Sequence, residues 1–417
     1  MRLLKSVKVP GKNSFCALDV GSHKLTVAFA VIGGQEGLGN ILIESSPAKG
    51  IFKGVVNDLA LFSETIRRAL GKMETRCGQK IPRVSVSING NYIQARHSVA
   101  AVALAEHGMR CITKRDVGRL NQQTKTLGLE LDEYLLHQYP QGYSIDRHNM
   151  TLNPVGLHGR KLEEDLLLVT AAASHVENIV RAVEQAGCDV ENCVYAGIAA
   201  AHAVLTPEER EKGVVLVDIG ETLTGVLVYK EDVARHMSIL SFGGRNISEI
   251  VSQFCGLSLE AADELKRNSL ELTSEEAGSE EVLVRSDNVY RSVKKAELAG
   301  VIAPEIEKFL ETLKSRIAES GLERVLSYKV VVVGGLSLQE GLLEKMERAL
   351  GMPVRLGLPR SLNQTSLSQA PLYASAVGLL EMQLEDHRRR SFPSQAQDKA
   401  PWRKLGDYLA DLYHDYF

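Results

Sequence analysis

Two apolar stretches flank a polar bend in CALDVGSHKLTVAFA, residues 16–30, with Asp19, Gly21, Ser22 and Lys24 clustered between them. This pattern predicts a β-hairpin that carries a carboxylate and a glycine at its tip. ILIESSPA predicts a third strand, and VNDLALFSETIRRALGKM a helix in which Leu59, Phe62, Ile66 and Leu70 recur at helical spacing. RVSVSING, residues 83–90, alternates as a half-buried strand, and HSVAAVALA reads as another. TKRDVGRLNQQTKTLG predicts a helix with Thr113 as N-cap and Asp116 in its first turn. LLLVTAAA and HVENIVRAVEQAGC then give a strand and a helix that ends at Gly187.

The opening pattern returns in VVLVDIGETLTGVLVY, residues 214–229, which aligns with residues 15–30 without a gap. Asp218 falls on Asp19 and Gly220 on Gly21. A single copy half a chain away predicts two related α/β domains, where a short period would predict a solenoid. SFGGRNISEIVSQFCG and SLEAADELKRNSLEL read as helices, TSEEAGSEEV as a solvated loop, and KKAELAGVIAPEIEKFLETLKSRIAESG as a pair of amphipathic helices. YKVVVVGGLSLQEGLLEKMERALGMPVRLGLP gives an apolar strand, a Gly-Gly turn, a helix and a strand. EDHRRRSFPSQAQDKAP lacks apolar periodicity and reads as a linker. WRKLGDYLADLYHDYF restores a helical pattern, with Trp402, Leu405, Leu409, Leu412 and Tyr416 on one stripe and Asp407, Asp411 and Asp415 opposite.

A chain of 417 residues exceeds what one core organises, and 44% hydrophobic with 24% charged residues suits a soluble globular protein. The formal net charge of −3 offers no global attraction to nucleic acid. Six cysteines without CxxC spacing fit a reducing compartment. The basic start has no apolar region of signal-peptide length, and no stretch approaches the roughly 18–20 apolar residues that span a bilayer, so neither secretion nor membrane crossing is expected.

The polar bends carry the chemistry. Gly21 lets the backbone come close to a ligand, and the amides of residues 21–24 can converge on phosphate oxygens. Asp19 repels phosphate but can hold a hydrated Mg²⁺ that bridges to it. Ser22 and Lys24 add a hydroxyl and a cation. One Asp-x-Gly bend is also an ordinary turn. Two in register, together with the VVVVGG turn at 330–335, predict a clamp for a triphosphate between the domains.

At these motifs the sequence resembles FtsA, a bacterial cell-division family of the actin-like ATPase superfamily. LDVGSHK is similar to its first phosphate loop, VDIGETLT to the second and VVVVGGLSLQEGL to its adenosine motif. KGVVNDLALFSETIRRAL, PQGYSID, NPVGLHGRKL, AVLTPEEREKGVVLVDIG and YASAVGLL follow in the family's order, so the resemblance covers about residues 14–385. It implies an α/β, actin-like two-domain fold of duplicated ribonuclease-H-like domains, with a small inserted α/β subdomain and a C-terminal amphipathic helix. Subdomain 1A would occupy 1–82, 166–210 and 371–385, the insert 1C 83–165, 2A 211–245 and 325–370, and 2B 246–324. A flexible linker would fill 386–400 and a membrane-targeting helix 401–417.

The resemblance also implies ATP and Mg²⁺ as ligands. The phosphates would be held by Asp19, Gly21, Ser22, His23, Lys24, Asp218, Gly220, Glu221 and Thr222, and the metal by Asp19 and Asp218. Base and ribose would lie against Gly243, Gly244, Asp263, Lys266, Arg267, Gly334, Gly335 and Leu336. Glu221 stands where the family's second loop often carries glycine; its carboxylate would either repel the γ-phosphate or add a magnesium contact, and at most slow hydrolysis is expected, with no catalytic residue assigned. The partners implied are FtsZ, captured by 2B, further copies of the chain in actin-like protofilaments, later division proteins, and membrane lipid through Trp402, Leu405, Leu409, Leu412 and Phe417. That would place the chain at the cytoplasmic face of the cell membrane, at the division site, without nucleic acid. Two other readings are a PilM-like cytoplasmic adaptor of pilus assembly and an ATP-hydrolysing enzyme. In the latter, His202 would position water; its alternative is a packed histidine on an Ala-rich helix.

Overall fold

The computed structural model describes residues 14–33, 37–105, 108–148, 150–272, 280–286, 289–322, 330–362 and 364–391. The C-terminal helix predicted at 401–417 and most of the acidic loop at 273–282 lie outside them. The first half opens with β1 (Ser14–Val20), β2 (Lys24–Val31) and β3 (Leu42–Pro47), followed by the short hairpin β4 (Ile51–Phe52) and β5 (Val55–Val56), then α1 (Leu59–Cys77) and β6 (Arg83–Ile88). An insert follows, made of β7 (Ile93–Ala103), β8 (Arg110–Cys111), α2 (Lys114–Gly128), β9 (Glu133–Ile145), β10 (Met150–Thr151), β11 (His158–Gly159) and β12 (Lys161–Ala172). The chain returns to the first half through α3 (Ala173–Gln185), β13 (Asp189–Tyr195) and α4 (Ala196–Val204).

The second half comprises α5 (Pro207–Lys212), β14 (Val214–Ile219), β15 (Thr224–Lys230), β16 (Val233–Leu240), α6 (Gly244–Cys255) and α7 (Leu259–Ser269). It continues with β17 (Glu281–Ser286), β18 (Val289–Lys294), α8 (Lys295–Ala318), β19 (Val330–Val333), α9 (Leu342–Leu350) and β20 (Val354–Leu356), before α10 (Ala374–Ser391) packs back on the first half.

The two halves repeat one sheet. Read from the same edge, the orders are β3-β2-β1-β6-β13 and β16-β15-β14-β19-β20. Within each hairpin the register is also the same, with Asp19 opposite Thr26 and Asp218 opposite Gly225. Both tips close alike: the Gly21 amide donates to the Lys24 carbonyl at 3.1 Å, and the Gly220 amide to the Leu223 carbonyl at 2.9 Å. The duplication seen in the sequence is therefore a duplication of backbone geometry.

Local sequence explains the elements that brace these sheets. Asp58 caps α1 by accepting from the Leu61 amide at 2.9 Å, and Gly78 ends it at φ 72°. The helix buries Phe62, Ile66, Leu70 and Met73 against the first sheet, with Leu59 only partly covered. In α2, Thr113 and Asp116 form a reciprocal capping box, and Arg110 pairs with the same carboxylate. Gly187 lies at φ 93° one residue beyond the α3 cap.

Several expectations change. β6 is buried on both faces where alternation suggested half-burial, because it lies between β1 and β13 with α1 and α3 on one side of the sheet and α4 and α10 on the other. For the same reason the insert does not begin at residue 83: β6 belongs to the first sheet, and the insert's own sheet, β10-β9-β12-β7, starts at Ile93 and runs through Ala172, past the expected end at 165. The helix pair expected at 294–321 is one helix, α8. Leu298, Ile302, Ile306, Phe309, Leu313 and Ile317 keep a single buried stripe across Pro304, so packing overrides the proline. The hairpin β17–β18 escaped the pattern reading. Residues 386–391, expected in the linker, continue α10, where the His387 ring packs edge-on against Phe15 at 5.8 Å.

The Ala-rich α4 is wedged between the halves and is buried nearly all round. Its small residues let α10 cross closely: a Cβ on Gly378 would lie 1.7 Å from the Ala199 carbonyl oxygen. His202 is the polar residue of this crossing. Its two ring nitrogens face Glu381 at 3.3 Å and Glu385 at 3.2 Å. Burial alone would lower its pKa, but the two carboxylates raise it to about 9. His202 thus pins α4 to α10 and does not serve a reacting group.

Replacing Gly378 by Ala should destabilise the protein by about 2–3 kcal/mol, because the added methyl must separate two backbones. Urea unfolding of the variant checks this; an unchanged midpoint would mean that α10 does not cross α4 this closely.

Candidate functional site

The hairpin tips of the two halves meet. The Thr222 hydroxyl donates to the Ser22 hydroxyl at 3.2 Å, and Arg267 on α7 reaches the His23 ring at 3.3 Å. The sheet geometry produces this convergence: Asp19 and Asp218 occupy equivalent positions at the ends of β1 and β14, just before their tips. Asp19 accepts from the Ser87 hydroxyl at 2.5 Å, a partner on β6 that sequence reasoning missed. The signal was the serines at the inward positions of an otherwise apolar strand.

Lys24 serves both carboxylates. Its ammonium donates to the Leu372 carbonyl at 3.1 Å and lies 4.5 Å from the centre of the Tyr373 ring. Burial lowers its pKa to about 8 against the pull of Asp19 and Asp218. Burial raises Asp19, with the Ser87 hydrogen bond and Lys24 opposing. Burial also raises Asp218, to about 7, and the neighbouring charge of Asp19 adds to the rise. Two carboxylates thus share one ammonium, an arrangement short of positive charge.

Gly334, at the end of β19, has φ 88°, and a Cβ there would lie 2.6 Å from the Asp218 carboxylate and 2.4 Å from the Ile219 carbonyl oxygen. Only glycine fits. A Cβ at Gly335 meets no atom within 4 Å, so its outer side is open, while Leu336 is buried in the second core. Gly243 and Gly244 open α6 against the second tip, with the Gly244 amide donating to Gly220 and the Arg245 amide to Glu221, at 3.0 and 2.8 Å.

The α7 residues are used differently from expectation. The Lys266 ammonium is bonded to the Gly244 carbonyl and the Ser248 hydroxyl, both at 2.9 Å, and to Asp263 at 2.7 Å. Asp263 also accepts from Ser248 and pairs with Arg267. Lys266 and Asp263 therefore brace α6 against α7. Of the three, only Arg267 has an exposed side chain, and it reaches the first tip.

The residues fit a nucleotide with a hydrated divalent cation. The tips and the glycine turns bring backbone amides, one ammonium and two carboxylates to one seam. Among the described residues no group of three His, Cys, Asp or Glu could hold a metal alone, and Mg²⁺ commonly needs only one or two carboxylates when phosphates complete its shell. A separate open groove of about 520 Å³, lined by residues that include Phe52, Asn91, Tyr92 and His175, contains none of the expected site residues.

Comparison with known proteins places the family and the fold. Residues 215–378 match the family described as "Cell division protein FtsA", and residues 90–170 the "SHS2 domain inserted in FTSA". The second match coincides with the inserted sheet. The FtsA of Escherichia coli (strain K12) is 30% identical over 395 residues, covering 91% of this chain and 93% of that protein. The chain belongs to the FtsA family. It is an actin-like bacterial cell-division protein. The FtsA of Pseudomonas aeruginosa is 29% identical over 87% of both chains. Among solved structures, the PilM-PilN type IV pilus biogenesis complex superposes with a TM-score of 0.64 at 17% identity, covering 89% of this chain and 98% of that one. MreB5 of Spiroplasma citri bound to ADP superposes with a TM-score of 0.52 at 11% identity, covering 92% and 100%. These likenesses establish the actin-like fold, and the family assignment removes the pilus-adaptor alternative.

The raised pKa of Asp218 carries a definite sign. Its folded value near 7 stands above the ordinary carboxylate value of 3.8, so the folded state holds this proton more tightly and stability falls as pH rises from about 4 to about 7. Without nucleotide or Mg²⁺, Asp218→Asn should therefore be more stable than the parent by about 4 kcal/mol at pH 8 and nearly equal to it near pH 4. Chemical denaturation in a chelating buffer at both pH values checks this.

Proposed function

We propose that this FtsA-family chain binds ATP with Mg²⁺ in the seam between its two halves, turns it over slowly at most, and tethers FtsZ filaments to the cytoplasmic membrane at the division site. The observation that carries the nucleotide part is the tip-to-tip meeting of the two equivalent hairpins over Asp19, Lys24 and Asp218. The amides of Gly21 to Lys24 and of Gly220 to Thr222 would cradle phosphate, Lys24 would neutralise it, and the two aspartates would hold water around the metal. Arg267, Gly334 and Gly335 would border the nucleoside. Bound there, ATP supplies a phosphate chain that links the two tips. His202, the histidine considered for positioning water, is committed to α10 through Glu381 and Glu385.

Self-association through the insert, capture of FtsZ by the α6–α8 region and later division proteins complete the proposal. Among the described residues no helix is long and apolar enough to cross a membrane. The attachment proposed is the amphipathic segment 401–417, lying flat with Trp402, Leu405, Leu409, Leu412 and Phe417 among the acyl chains. One such helix binds weakly, and many on a filament bind together.

Asp19→Ala and Asp218→Ala should each weaken Mg²⁺-dependent ATP binding by about tenfold or more through loss of the metal's anchors. Equilibrium titration with a fluorescent ATP analogue measures it, and unchanged affinity in both variants would remove this site. In flotation with anionic vesicles, the full chain should carry FtsZ filaments upward, and a chain truncated after Ser391 should leave them at the bottom. Equal flotation of both would shift the membrane contact away from the terminal segment.

A further inference from the structure

The two tips are equivalent in backbone but opposite in charge. With the offset of 199 residues that aligns Asp19 with Asp218, Ser22 of the first tip corresponds to Glu221 of the second, and Lys24 corresponds to Leu223. The first tip thus presents a hydroxyl and a cation, and the second presents a carboxylate. The residue after the glycine is neutral in one copy and anionic in the other.

Glu221 is held in place. Its carbonyl accepts from the Arg245 amide at 2.8 Å, and the preceding Gly220 carbonyl accepts from Gly244 at 3.0 Å, so the α6 start fixes this tip. Its side chain lies over Gly244: a Cβ on that glycine would stand 3.3 Å from the Glu221 Oε2 and 3.0 Å from the Lys266 Nζ. Yet no cation comes within 4.0 Å of its carboxylate among the described residues, and the Lys266 ammonium is already spent on Gly244, Ser248 and Asp263. The charge of Glu221 instead acts outward, on His23 across the seam as well as on Lys266. By contrast, the charge that acts on Asp19 is that of Lys24, and those that act on Asp218 are Asp19 and Lys24. Glu221 therefore belongs to the wall of the phosphate cradle, apart from the carboxylate pair suited to a metal.

We propose that Glu221 is a specificity-determining residue, a carboxylate on a backbone-anchored tip that weakens nucleotide binding in proportion to the charge of the phosphate tail and so shifts the seam's preference from nucleoside triphosphate toward diphosphate. This rests on the nucleotide reading of the seam given above. Each phosphate added to the ligand brings negative charge toward a carboxylate whose backbone is anchored to the start of α6 and which has no ion-pair partner within 4.0 Å among the described residues. Adenosine, which has no phosphate, escapes the penalty. The short side chain of the first tip, Ser22, shows that the backbone turn itself does not require an acid here.

The test measures dissociation constants of MgATP, MgADP and adenosine by calorimetry on the full chain, Glu221→Gln and Glu221→Ser, the last giving the second tip the residue of the first. Both variants should bind MgATP about tenfold tighter, MgADP about threefold tighter and adenosine within about twofold of the parent. The ATP-to-ADP affinity ratio thus rises about threefold. The two substitutions differ in size and share only the loss of charge, so agreement between them separates charge from shape. If nucleotides bind but the ratio is unchanged, or if both variants bind MgATP more weakly, Glu221 is not a charge filter and the nucleotide site itself stands. If none of the three proteins binds any of the probes, the nucleotide reading and this inference fall together.

Discussion

Two carboxylates and one ammonium at the seam form the constraint around which the rest of the molecule is arranged. Asp19 and Asp218 each end a central strand, and Lys24 stands against both. In water such a trio would be of little consequence, but half-buried between two sheets each charge interacts strongly with its neighbours. Burial is the main cause of the raised Asp218, and the like charge of Asp19 adds to it. In the proposed complex a hydrated divalent cation would answer the carboxylates and the amides would answer the phosphate.

Such a seam requires backbones to approach closely from several directions, which accounts for the small residues around it. Gly334 packs against Asp218 and the Ile219 carbonyl, where any side chain would collide. α4 is built from alanines because both sheets and α10 press on it, and Gly378 lets α10 lie on its backbone. His202 then supplies a charge-assisted tie across that crossing. A sheet end, a glycine turn and an alanine helix together bring two halves of different sequence into equivalent positions.

Much of this was legible in the chain. The hairpins, the Thr113–Asp116 capping box and the duplicated tips are written in residues a few positions apart, and local physics decides them. The errors lie where distant segments decide. Alternation in β6 cannot reveal that helices cover both faces of its sheet, and Pro304 reads as a break until the buried stripe of α8 is seen to continue through it. The Asp263, Lys266 and Arg267 spacing was read as a ligand-facing set, but the ammonium of Lys266 finds three acceptors inside the protein, on α6 and α7. The serines of β6 hint at a polar contact, but that Asp19 is the partner of Ser87 depends on β6 lying parallel to β1.

Proteins that superpose on this chain with only 11–17% identity keep the same backbone frame. The fold is therefore compatible with very different sequences. Chemistry is less tolerant, because it depends on which side chains those tips present. Within this single chain the point can be made without a relative: two tips with one backbone geometry present Ser22 and Lys24 on one side and Glu221 and Leu223 on the other. On the proposed reading the fold would set where a phosphate lies, and the side chains at the tips, which the turn itself does not need, would set which phosphates are favoured there.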